Sequence, residues 1–182
     1  MTAATTAWSI PALAKKNGLS LGETVLFGML GALTFALKVC MAALPNIEPV
    51  SLLVMLFAVV FGWRALYATY VYVTMEILWF GLGTWNFNYL YIWAVLALAA
   101  VLLRKMDQPL GWALVSGVFG LCFGALCAPV DVFIGGFSYA VTKWLSGIPF
   151  DVAHCAGNFV LTLVLWKPLR ALMEKLYARV RR

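Results

Sequence analysis

The 182-residue sequence is poor in charge. Lysine, arginine, aspartate and glutamate make up 11% of it, against about a quarter in soluble domains, which excludes an ordinary soluble fold. Acidic residues are scarcest, 7 against 13 basic, for a formal net charge of +6. There is one histidine, His154, so a multi-histidine metal centre is excluded and no metal site is expected. The four cysteines, Cys40, Cys122, Cys127 and Cys155, form no CxxC pair and lie in or near apolar runs, where they read as small packing residues. No HExxH, Gly-x-Ser-x-Gly or Walker pattern occurs, and nothing supports nucleophilic catalysis, so the chain does not read as an enzyme. The first residues lack the basic region, apolar stretch and cleavage site of a signal peptide. No internal repeat of the transporter kind is visible.

What is present is apolar. Hydrophobic residues make up 64% of the chain, with a mean hydropathy of +0.95, and 15% of residues are aromatic, which excludes disorder. A membrane-spanning helix takes about 20 residues, so one all-α polytopic domain of about six spans is expected. The apolar runs are Gly22 to Leu44, Val50 to Trp63, Ala65 to Gly83, Tyr89 to Leu103, Leu110 to about Val130, and Asp151 to about Leu169. They are continuous rather than alternating, so they read as helices and not as barrel strands. The expected breaks are the prolines Pro45 and Pro49, then Arg64, the polar and aromatic turn Thr84 to Asn88, and Arg104 to Pro109. A long connection is expected from Asp131 to Phe150, with a short helix around Tyr139 to Leu145. Residues 1–21 read as a cytoplasmic segment with a surface helix from Ser9 to Asn17, 22–169 as the transmembrane domain, and 170–182 as a basic cytoplasmic helix end.

The basic residues set the expected orientation. Lys15, Lys16, Arg64, Arg104, Lys105, Lys167, Arg170, Lys175, Arg179, Arg181 and Arg182 all fall on one side of the six-span scheme, which places both termini in the cytoplasm. The opposite loops hold only Lys143 among basic residues. This arrangement accounts for the positive charge without nucleic acid as a partner.

The polar residues of the apolar runs gather toward the outer side. Lys38, Glu48, Glu76, Asn88, Asp131, His154 and Asn158 all fall there, beside the aromatic residues Trp85, Tyr89 and Trp93. A charge at mid-bilayer costs about 2.5–3.5 kcal/mol on insertion scales, so Lys38 and Glu76 need partners or water. One reading is an outward-facing pocket for a flat polar ligand, lined by these ten residues. Others are a buried Lys38–Glu76 pair, Lys38 snorkelling to the headgroups, and an ordinary interfacial aromatic belt. Asp151 is one turn from His154 and reads as the N-cap of the sixth run. Gly28, Ala32 and Ala36 form a stripe of small side chains that suits close approach of another helix, inside this chain or in a partner.

The size, the six runs, the Ala32-xxx-Ala36 stripe, the Leu44-Pro45-Asn46-Ile47-Glu48-Pro49 loop and the Phe150-Asp151-xx-His154-xx-Gly157-Asn158 stretch together resemble the S components of energy-coupling factor transporters. The resemblance covers about Gly22 to Leu169. It implies a vitamin-capturing subunit, without intrinsic cofactor, in a prokaryotic plasma membrane. It implies partners too: a transmembrane coupling subunit that docks on Gly28, Ala32 and Ala36, and two cytoplasmic ATPases that alone use ATP. A corrinoid such as cobalamin is the substrate expected from it. Competing readings are an ion-coupled carrier working alone through Lys38, Glu76 and His154, a lipid-acting enzyme, and an assembly subunit without a ligand.

Overall fold

The computed structural model describes residues 18–44 and 47–181. The expected surface helix from Ser9 to Asn17 lies outside the described residues. The described chain is helical, without strands: α1 (Leu21–Cys40), α2 (Val50–Phe61), α3 (Ala65–Phe80), α4 (Thr84–Leu102), α5 (Pro109–Leu121) and α6 (Phe123–Val180). A short 3-10 turn, Gly62–Arg64, joins α2 to α3.

Four stretches are long and apolar enough to cross a membrane: Leu21–Cys40, Val50–Phe80, Thr84–Leu102 and Pro109–Val180. The surface matches. Phe133 is 92% exposed and Leu78 79%, while Glu76 and His154 are buried at 1% and 3%. Apolar side chains outside and charged ones inside mark a membrane protein.

Two buried carboxylates fix the helix directions. Glu23, in the first turn of α1, pairs with Arg64 just before α3 and accepts from Tyr177 Oη near the end of α6 at 3.2 Å. Lys38, in the last turn of α1, pairs with Glu76 near the end of α3. Helices α1 and α3 therefore run side by side in the same direction. Phe61, the last residue of α2, packs edge-on against Phe27 at 5.2 Å and Tyr177 at 4.9 Å, so α2 runs the opposite way. The reversal uses Gly62 at φ 63°, a conformation that disfavours side chains with a Cβ. Every residue of α2 from Val50 to Ala58 is buried, as befits a helix that is apolar all round.

Two expected loops are helical instead. Thr84 to Asn88 is the first turn of α4, because the Asn86 side chain accepts the Gly83 N–H at 2.6 Å and caps the helix start. The expected fifth run to Val130 ends earlier, at Leu121, and the chain from Phe123 onward is two helical pieces that meet at Gly136, where the chain folds back so that Gly124 reaches Asp151. Only Gly136, at φ 82°, leaves helical geometry within α6. Pro129 and Pro149 sit inside α6 without ending it, so Asp131 to Phe150 is not an irregular connection. Helix α6 also continues unbroken past residues 169–170.

Close approach of α1 to α3 depends on Gly31. A Cβ there would lie 2.6 Å from the Ala68 carbonyl oxygen and 2.6 Å from Val71 Cβ, whereas one on Gly28 would meet nothing within 4 Å. Gly31→Leu should therefore lower thermal stability in detergent, by about 1–3 kcal/mol from overpacking, while Gly28→Leu should unfold at the wild-type temperature. Equal losses would mean that Gly28 also sits in a helix contact.

Candidate functional site

The Lys38 Nζ donates to Glu76 Oε2 at 2.7 Å. The lysine side chain is 19% exposed and the glutamate 1%. Lys38 thus turns inward onto a partner rather than snorkelling. Its ammonium lies over three rings, 5.4 Å from the centroid of Tyr89, 5.8 Å from Phe80 and 6.0 Å from Tyr72. Those are cation–π distances. Glu48, on the connection into α2, is half-buried and feels both charges. Burial pushes its carboxyl above the usual range, Lys38 pulls it back and Glu76 pushes it up again.

The aromatic rings continue inward from this pair. Tyr89 packs against Trp93 at 5.3 Å, Tyr72 against Trp93 at 6.0 Å, Trp93 against Phe123 at 6.0 Å, and Phe123 against His154 at 5.0 Å. Eight buried polar side-chain atoms have no hydrogen-bond partner among the described residues; Tyr72 Oη, Glu76 Oε1, Trp93 Nε1 and His154 Nε2 lie along this chain of rings, and Asn86 Nδ2, Ser116 Oγ, Thr162 Oγ1 and Trp166 Nε1 lie outside it. Each such atom costs about 1–3 kcal/mol. Four together rival the whole stability of a domain, about 5–15 kcal/mol. A polar occupant, ligand or water, is the physical remedy. Donors, acceptors and stacking faces here surround one carboxylate oxygen that remains free.

The sequence-expected residues therefore divide. Lys38, Glu48, Glu76, Tyr89, Trp93 and His154 belong to this cluster. Trp85, Asn88 and Asp131 instead line a separate cavity of about 390 Å³ at the same end, between α4 and the kinked part of α6. Asp131 is neutralised there by Lys143 at 2.5 Å, and Asn88 Oδ1 lies 3.2 Å from Tyr91 Oη, which donates to the Leu126 carbonyl. Asn158 joins neither group. Its Nδ2 donates to Ser51 Oγ at 3.1 Å and to the Ser116 carbonyl at 3.2 Å, fastening α6 to α2 and α5. Asp151 does not cap its own run, because that run has no start there. Its carboxylate accepts the Gly124 N–H at 3.1 and 3.2 Å, capping the beginning of α6 across space. Tyr72 and Phe80 were missed. Both stand four residues from Glu76 on α3, and that helical spacing is the signal that could have found them.

Of the small-residue stripe of α1, a Cβ on Gly28 would meet nothing within 4 Å among the described residues. Gly28 and Ala32 are half-buried and Ala36 is exposed, while the glycine that packs inside is Gly31.

Removing one member of the charged pair strands the other. Lys38→Met should lower unfolding stability in detergent by about 3 kcal/mol, and adding Glu76→Gln should recover most of that loss. Additive losses in the double variant would mean the two groups are not coupled. The chain matches no known protein family, and no characterised protein or solved structure is significantly similar to it.

Proposed function

We propose that this chain is a membrane-embedded capture subunit of the energy-coupling factor type, taking a vitamin or related micronutrient at its Lys38–Glu76 end. The observation that carries the reading is the set of unpartnered buried atoms on the chain of rings that starts at that pair, from Tyr72 Oη and Glu76 Oε1 to Trp93 Nε1 and His154 Nε2. They belong to α3, α4 and α6, which is how a ligand site between helices is built. In this reading the chain crosses the membrane six times with both termini in the cytoplasm. The basic residues support that orientation. Arg64, Arg104, Lys105 and Arg170 fall toward the Glu23 end, while Glu48, Glu76, Asp131 and Asp151 fall toward the other. The bound ligand would be delivered inward after the Gly28, Ala32 and Ala36 face docks on a coupling subunit powered by two partner ATPases. The half-open stripe on α1 supports that docking role, because among the described residues nothing lies within 4 Å of where a Gly28 side chain would stand.

The alternative is an ion-coupled carrier that works alone, with Lys38, Glu76 and His154 moving protons or ions. Purified protein in liposomes separates the two. A carrier accumulates solute under an ion gradient by itself, and a capture subunit only binds it.

Mass spectrometry of small molecules released from the purified protein should recover a micronutrient at near one-to-one ratio. Ala32→Trp or Ala36→Trp should then abolish cellular uptake while leaving that ratio intact. Loss of binding and uptake together would return the stripe to a structural role, and gradient-driven uptake by the isolated protein would replace capture with carriage.

A further inference from the structure

Building on the capture reading, we propose that the ligand of the Lys38–Glu76 cluster is an organic cation, an amine or amidine carried on a flat ring, and that the Lys38 ammonium occupies that cation's place until the ligand arrives. Tyr72, Phe80 and Tyr89 surround the Nζ at 5.4–6.0 Å, and Glu76 Oε2 holds it at 2.7 Å. Aromatic faces around a positive nitrogen, closed by a carboxylate, are how proteins bind alkylammonium groups. Here the cage is filled by a side chain of the protein itself.

Two features show which partner can leave. Glu76 is 1% exposed and cannot turn out to water, whereas Lys38 is 19% exposed, stands two residues from the end of α1, and has a long flexible stem. The second feature is charge. Among the described residues, Lys38 is the one cation on the Glu76 carboxylate, Glu48 is a second acidic group that feels both, and Asp131 has Lys143. An anionic ligand would meet the Glu76 carboxylate. A cationic one restores the pairing once Lys38 swings outward. The free Glu76 Oε1 takes a second N–H from an amidine or amine, and the Trp93 N–H donates to an acceptor elsewhere on the ring.

The test is chemical rescue. Wild type and Lys38→Met are placed in lipid nanodiscs and titrated with benzylamine, benzyl alcohol and benzoate, three probes of one shape and different charge. Thermal unfolding and tryptophan fluorescence are both followed. Lys38→Met, whose cage has lost its cation, should regain most of its lost unfolding temperature with benzylamine, saturably, and with neither of the others. Wild type should bind benzylamine at least tenfold more weakly, because Lys38 competes. Equal or better rescue by benzoate overturns the proposal, as does a folded Lys38→Met that ignores benzylamine, or equal benzylamine affinity in the two proteins. If Lys38→Met does not fold, the wild-type titration decides. A saturable response to benzylamine but not benzoate upholds the proposal, and the reverse order, or no response to either, sinks it. A neutral or anionic micronutrient recovered from the purified protein would overturn this ligand class and leave capture standing. Amine rescue in a protein that supports no uptake would do the converse.

Discussion

A carboxylate held inside an apolar helix bundle cannot stand alone, and the structure is organised around that constraint at Glu76. Insertion scales put the cost of a charge at the bilayer centre near 2.5–3.5 kcal/mol. Leaving such a charge without its partner costs about 3–5 kcal/mol. Lys38 meets the constraint from the neighbouring helix, and that pairing needs α1 and α3 parallel and close. Gly31 supplies the closeness by letting the α3 backbone come within reach of α1. The order is causal: a glycine permits the approach, the approach permits the ion pair, and the ion pair permits a carboxylate where rings and unpaired donors gather.

In lipid, helices gain nothing from burying leucine against leucine, because the surrounding tails are equally apolar. Specific fastenings must therefore carry more of the architecture. Asn158 ties α6 to α2 and α5, Asp151 ties the middle of α6 to its own beginning, and Glu23 ties α1 to α3 and α6. These few polar contacts fix helix order and direction, while the outward leucines, valines and phenylalanines only choose the solvent.

Much of this was legible in the sequence, for physical reasons that differ by element. Helical runs and membrane character follow from composition alone. The breaks near Pro49, at Arg64 and before Pro109 were legible because proline and charge stop apolar helices for local reasons. Thr84 to Asn88 misled because five polar and aromatic residues resemble a turn, and only the Asn86 side chain reaching back to Gly83 makes them helical. Asp131 to Phe150 misled because Gly135, Gly136 and Pro149 look like breakers, yet only Gly136 breaks. Neighbouring groups in a membrane bundle can re-satisfy what a proline frees. At the site, the charges announced themselves by being rare. Tyr72 stayed hidden among the tyrosines of α3, visible only through its spacing from Glu76. Asn158 looked like a ligand group because nothing local reveals a partner 107 residues away.

The other buried carboxylate is satisfied where Glu76 is not. Glu23 and Glu76 are glutamates of similar burial, at 4% and 1% exposure, each paired with one basic side chain. Glu23 has both oxygens engaged: Oε2 accepts the Ser20 N–H at 3.0 Å, and Oε1 takes Arg64 and the Tyr177 hydroxyl. Glu76 has Oε2 on Lys38 and nothing on Oε1. Both glutamates pair with one basic side chain, so ion pairing alone does not explain the difference. What differs is the surroundings, for the hydroxyl of Tyr72, whose ring lies 6.0 Å from the Lys38 ammonium, and the indole N–H of Trp93 packed on that ring are left open as well. Glu76 thus keeps an open oxygen on a chain of rings that carries further open polar atoms, whereas the matching carboxylate Glu23 is fully paired.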